Sequence, residues 1–71
     1  MKRANMTLEQ KWKVFLALNG YPPSYWTRDL DGVEILVTLL EPKAYGKWMA
    51  HDEDGESLLV TEEQLDLSEA V

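Results

Sequence analysis

Residues 32–40 constrain the fold of this chain most, because β-branched and aliphatic residues are densest there and turn-forming residues lie on both sides. This stretch is the predicted central strand. Its odd-numbered positions form one continuous apolar face, made of Val33, Ile35, Val37 and Leu39. Its even-numbered positions form a mixed face. Other segments of the chain must pack on the apolar face to bury it.

A helix is predicted before the central strand, over residues 8–18. Thr7 and Gln10 have the spacing of a capping box, in which each side chain bonds the other residue's backbone N–H. Gly20 lies where helices end in a left-handed residue, and the two prolines that follow prevent continuation. The alternative is a strand over residues 12–18 that ends in an Asn-Gly turn. We favour the helix because its start and stop patterns agree.

Residues 21–26 contain two prolines, two tyrosines and a tryptophan, which is typical of a stiff, aromatic connector. Tyr25 and Trp26 can close the end of a small barrel or sheet, or they can bind a partner. Packing is the favoured interpretation, because large aromatic side chains in very small domains usually belong to the core.

Two short strands, residues 47–51 and 56–60, follow the central strand of residues 33–40, with a compact turn at residues 52–55. Thr61 and Gln64 repeat the capping-box spacing, which predicts one helical or 3₁₀ turn that returns Leu65 and Leu67 to the sheet. The expected fold is α+β, an N-terminal helix packed on a three-stranded antiparallel β-meander. The expected core comprises Trp12, Phe15, Leu16, Ile35, Val37, Leu39, Trp48, Leu58 and Val60.

Length and composition favour a single domain over residues 1–71, with residues 1–6 and 68–71 mobile. The chain has no cysteine, so it has no disulfide, and nothing marks an oxidising compartment. Its apolar runs are far shorter than the roughly 20 residues that cross a bilayer. We therefore expect a cytoplasmic protein that is a monomer when free.

The net charge of −6 is unevenly distributed. Residues 1–13 carry +3, residues 14–47 carry −1, and residues 48–71 carry −8 with eight acidic residues and no Lys or Arg. Such an acidic segment repels phosphate and anionic lipid, so we expect no membrane and no direct nucleic-acid partner. It favours a basic partner surface, although acidic surfaces also simply keep small proteins soluble.

The sequence contains few of the residue patterns that catalysis or metal binding requires. Acids concentrate around His51, but a calcium loop with Gly55 in sixth place would begin at Ala50 and end at Thr61, neither of which is a carboxylate. His51 is the one imidazole, and no glycine-rich phosphate loop is present. We expect no enzyme activity, no cofactor and no metal site.

Recognition of a macromolecule is the function class that remains. The first hypothesis is protein binding, with association steered by Asp52, Asp54 and Glu56. The anchor would then be drawn from the N-terminal helix and the aromatic connector, namely from Arg3, Lys11, Lys13, Tyr25 and Trp26. The alternative is a nucleic-acid module that uses the basic helix, with Trp26 or Tyr45 stacking on bases.

Residues 32–66, a strand, a hairpin, a glycine-turned strand and a short turn, resemble the core of small SH3-like barrels. The size, the acidity and the helix-plus-meander order also resemble small bacteriophage proteins that dock on host RNA polymerase and act as inhibitors or antitermination factors. This resemblance implies a regulator of transcription in the host cytoplasm, and it carries over no site residues. A structural or assembly component of a phage is the alternative from another class.

Overall fold

The computed structural model describes residues 7–28 and 31–66, which form one helix and a four-stranded antiparallel sheet in the order β1-β2-β3-β4. The elements are α1 (Leu8–Asn19), β1 (Ser24–Arg28), β2 (Glu34–Pro42), β3 (Lys47–His51) and β4 (Ser57–Thr61), with 3₁₀ turns at Ala44–Gly46 and Glu62–Gln64. The predicted α+β class is confirmed, whereas the predicted three strands are one too few. The predictions for residues 1–6 and 68–71 and for Leu67 lie outside the described residues.

The helix begins and ends where the sequence predicts. The Thr7 hydroxyl accepts from the backbone N–H of Gln10 at 3.1 Å, and the Gln10 side chain accepts from the N–H of Thr7 at 2.9 Å. Gly20 adopts φ 77° and donates its N–H to the Leu16 carbonyl at 2.9 Å, which closes the last turn. The capping box and the glycine stop are therefore confirmed, and a strand over residues 12–18 is excluded.

The strand that sequence reasoning missed is β1, which takes up the second half of the predicted connector. Ser24 pairs with Thr38 and Arg28 pairs with Glu34. Pro23 precedes the strand, where its missing N–H removes no ladder bond, and its carbonyl accepts from Leu39 N at 3.1 Å. Side chains alternate along β1, so Tyr25 is buried and Trp26 is exposed.

The β2–β3 hairpin contains a bulge and a strained turn. The pairing shifts between Leu39 and Glu41, so Leu40 is the extra residue on β2. At the tip, Tyr45 and Gly46 have φ values of 61° and 71°, as the two central residues of a type I′ turn require. β2 begins at Glu34, which leaves Val33 outside the strand and 57% exposed.

The chain returns from β4 to β1 through the 3₁₀ turn Glu62–Gln64, which we call the closing turn. Its predicted capping box is present, and the next residue, Leu65, is buried. Thr27 donates its hydroxyl to the Gln64 carbonyl at 2.7 Å, and Asp66 donates its N–H to the Trp26 carbonyl at 2.8 Å. The two edge strands of the sheet are therefore bridged by the end of the described chain.

The core lies between the inner face of the sheet and α1. Trp12 meets Trp48 edge-on at a centroid distance of 5.5 Å, and its indole N–H donates to the Leu39 carbonyl at 2.9 Å. Four predicted core residues are buried, namely Val37, Leu39, Trp48 and Val60, whereas five are half-buried, namely Trp12, Phe15, Leu16, Ile35 and Leu58. Buried residues absent from the predicted core are Leu8, Pro23, Tyr25, Thr27, Ala50 and Leu65. Within the described ranges, no helix is long and apolar enough to span a membrane.

Candidate functional site

The outer face of the sheet, which α1 does not cover, carries exposed apolar side chains. Trp26 on β1 lies opposite Leu36 on β2, and Met49 on β3 lies opposite Leu59 on β4. Trp26 is 40% exposed and Leu59 is 53% exposed. A row of polar side chains separates the two pairs. The row consists of Ser24, Thr38, His51 and Ser57. Trp26 is therefore an accessible aromatic side chain on a sheet surface that remains open.

The acidic turn, residues 52–56, owes its shape to one of its own carboxylates. The Asp52 side chain accepts from the backbone N–H groups of Asp54 and Glu56, each at 2.9 Å, and the Asp52 carbonyl accepts from Gly55 N at 3.0 Å. Asp52 is thus a structural residue of the turn. Asp54 and Glu56 are exposed, and they present the charge of the turn to solvent.

The strand register places the acidic turn at the same end of the sheet as Trp26. His51 pairs with Thr38, so the residues after β3 continue towards the end of β2 that holds Leu36 and Glu34. Leu36 is in turn the cross-strand partner of Trp26. The exposed indole and the acidic turn therefore share one end of the outer face.

An open groove of about 570 Å³ lies between β1 and the closing turn. We call it the indole groove. It is lined by Trp26, Thr27 and Arg28 of β1, by Glu34 of β2, and by Glu63, Gln64, Leu65 and Asp66. The bonds from Thr27 to Gln64 and from Asp66 to Trp26 hold its two sides together. A second cavity of about 330 Å³ is lined by residues of both edge strands, including Thr27, Leu58 and Val60, which shows that the sheet curls.

The indole groove is anionic. Arg28 lies 3.7 Å from a Glu34 carboxylate oxygen, and both side chains are well exposed, so this pair contributes little to stability. Arg28 also donates to the Gly32 carbonyl at 3.4 Å. Glu63 forms no ion pair with any residue in the described part of the chain. The groove thus contains more carboxylates than cations.

The structure separates the predicted anchor residues. Tyr25 lies on the inner face and is 6% exposed, and burial raises the pKa of its phenol, so it is not available to a partner. Trp26 is available on the outer face. Lys11 and Lys13 are exposed on α1, on the other side of the sheet, where Lys13 pairs with Glu9 at 3.3 Å. Arg3 lies outside the described residues.

Sequence reasoning did not identify the groove, because its walls come from distant segments. The β1–β2 pairing brings Glu34 near Trp26, and the return of the chain to β1 brings Glu63 there; no sequence motif marks either residue as part of a site. The capping box at Thr61 predicted a turn that returns the chain to the sheet, but not that the chain returns to β1. No pattern in the sequence indicates that Gln64 and Asp66 bond to β1.

His51 and the acids around it form no metal site. The Nδ1 atom of His51 lies 3.0 Å from the Asp52 carbonyl oxygen, its neighbour in sequence. Across residues 7–28 and 31–66, no three His, Asp or Glu side chains are grouped closely enough to hold a metal ion.

Comparisons of this chain with protein-family models, with curated proteins and with solved structures found no match.

Proposed function

We propose that this chain is a small protein-binding regulator, which docks on a larger protein through the outer face of its sheet with Trp26 as the anchor. The observation that carries the proposal is the exposed Trp26, paired with the half-buried Leu36, beside the acidic turn. Tryptophan is enriched among the side chains that dominate binding energy. Acids around such an anchor favour a partner segment that presents apolar side chains flanked by Lys or Arg.

Bacterial RNA polymerase is the first partner to test, since the helix-plus-meander order and the acidity resemble those of phage-encoded polymerase regulators. Docking there would inhibit transcription or prevent its termination. The curled sheet and the closing turn also support the likeness to SH3-like barrels.

The first experiment captures partners from a bacterial lysate on the tagged full-length protein and then repeats the measurement with purified RNA polymerase. Saturable binding of the purified enzyme supports the proposal. Absence of binding, together with self-assembly or capture of virion proteins, would instead favour a structural phage component.

The second experiment tests the surface on that complex. Trp26→Ala should speed dissociation by roughly 30-fold, which corresponds to about 2 kcal/mol or more. Replacing Asp54 and Glu56 by Asn and Gln should slow association and flatten its salt dependence, while Asp52 is left in place to keep the turn. Leu18→Ala is the matched control, because Leu18 is 79% exposed on α1, away from the outer face. Equal effects of Trp26→Ala and Leu18→Ala would place the binding surface elsewhere.

A further inference from the structure

We propose that the indole groove binds an arginine side chain of the partner. This inference rests on the proposed function, and it names the chemical group that the partner presents at Trp26. The groove adjoins the outer face, because Trp26 both lines the groove and pairs with Leu36 on that face.

The groove lies between two chain segments that hydrogen bonds hold in place. Its β1 side is a paired strand, and its other side is fixed by the Thr27 hydroxyl on the Gln64 carbonyl at 2.7 Å and by the Asp66 N–H on the Trp26 carbonyl at 2.8 Å. Its volume of about 570 Å³ is sufficient for a long side chain. A ligand therefore meets a largely preformed site, which lowers the entropic cost of binding.

The charge of the groove selects a cation. Its lining contains the carboxylates of Glu34 and Glu63 against the single guanidinium of Arg28. Arg28 is already engaged with Glu34 and with the Gly32 carbonyl. Glu63 has no ion-pair partner within the described residues, so an entering cation meets a carboxylate that no described side chain neutralises.

The exposed indole selects arginine among cations. A guanidinium is planar, stacks on the face of an aromatic ring and can donate two parallel N–H bonds to one carboxylate. A lysine ammonium is more strongly hydrated and offers no flat face to Trp26. Stacking on Trp26 with a bidentate bond to Glu63 would use both features of the groove at once.

A peptide titration tests the inference without any partner protein. The probe is acetyl-Leu-Arg-Leu-amide, added to the full-length protein labelled with ¹⁵N. We expect saturable shifts of the Trp26 indole N–H and of the Thr27, Gln64 and Leu65 amides. Replacing arginine by citrulline, which keeps the shape without the charge, should weaken binding about tenfold or more, and replacing it by lysine about threefold or more.

Three variants assign the binding to named side chains. Glu63→Gln should weaken the arginine peptide about fivefold, and Trp26→Leu, which keeps an apolar side chain without a ring face, should do the same. Glu9→Gln is the matched control, because it removes one charge from α1, on the other side of the sheet from the groove, and it should change affinity less than twofold. Unchanged amide dispersion shows that each variant remains folded.

The inference is overturned if the peptide produces no saturable shifts, if the shifts lie away from the groove, or if Glu9→Gln weakens binding as much as Glu63→Gln. This outcome is separate from the proposed function. Polymerase binding without peptide binding would contradict the arginine site alone. Peptide binding without polymerase binding would contradict RNA polymerase as the partner and leave the arginine site in place.

Discussion

Tyr45 has a backbone conformation that its own side chain does not favour. Among the described residues it is the single non-glycine residue with positive φ, at 61°, and its side chain is 96% exposed. A left-handed conformation costs an ordinary residue about 1–2 kcal/mol. No ring contact or hydrogen bond with the described part of the chain offsets this cost for the Tyr45 side chain.

Replacing Tyr45 by asparagine should therefore stabilise the protein by about 0.5–1 kcal/mol, because asparagine tolerates positive φ in a type I′ turn. The free energy of unfolding in urea measures this effect. Tyr45→Ala is the control, since it removes the ring and keeps the strained backbone of a residue with a Cβ. Equal stabilisation by both substitutions would show that the ring, and not the backbone, is the source of the cost.

Tyr25 predicts how stability depends on alkaline pH. Burial favours the neutral phenol, so the folded-state pKa of Tyr25 lies above its ordinary value of 10.0. Tyr25 therefore contributes its full stabilisation of the folded state below about pH 10, and this stabilisation is lost as pH rises through the folded-state pKa. Tyr25→Phe should reduce the loss of stability above pH 10, measured by urea unfolding over a pH series. The same measurement on Tyr21→Phe, at an exposed position, should match the unmodified protein.

At the scale of elements, Trp12 helps to hold α1 on the sheet, together with the buried Leu8. The Trp12 indole N–H bonds the Leu39 carbonyl, next to the bulge, while its ring meets Trp48. Trp12→Phe keeps an aromatic ring but leaves that carbonyl without its donor. We expect a loss of about 1–3 kcal/mol in the free energy of unfolding.

Leu18→Ala is the control for this substitution, because Leu18 is on the same helix and largely exposed, and its effect should stay within about 0.5 kcal/mol. Circular dichroism should show that both variants retain α1. A loss for Trp12→Phe no greater than that for Leu18→Ala would mean that Trp12 does not dock the helix.

Features set by neighbouring residues could be predicted from the sequence, and features set by distant residues could not. The capping boxes at Thr7 and Thr61 and the glycine stop at Gly20 depend on local chemistry, and all three are present. β1 was missed because Pro22 and Pro23 obscured a strand whose pairing depends on β2. The indole groove was missed for the same reason, since its two walls meet only after the chain returns to β1.

At the scale of the whole molecule, Trp48 connects helix and sheet. It is 1% exposed, so Trp48→Ala should cost about 3–5 kcal/mol. The free energy of unfolding of a domain is roughly 0.05–0.15 kcal/mol per residue, which gives roughly 4–11 kcal/mol for 71 residues. Thermal unfolding of the Trp48→Ala variant should therefore show a large loss of stability, or a variant that is already unfolded. A nearly unchanged melt would contradict the sheet register, and Leu59→Ala on the exposed outer face is the control.

The bridge from the closing turn to β1 also has a kinetic consequence. Each hairpin of the sheet joins consecutive strands, whereas the bond from Thr27 to Gln64 joins residues 37 positions apart. Closing a longer loop costs more chain entropy, so the hairpins can form first and the bridge afterwards. Contacts that form after the transition state affect unfolding rather than folding rates. Stopped-flow urea unfolding and refolding of Thr27→Val should therefore show faster unfolding and a nearly unchanged folding rate, because we expect the closing turn to be released before the hairpins separate.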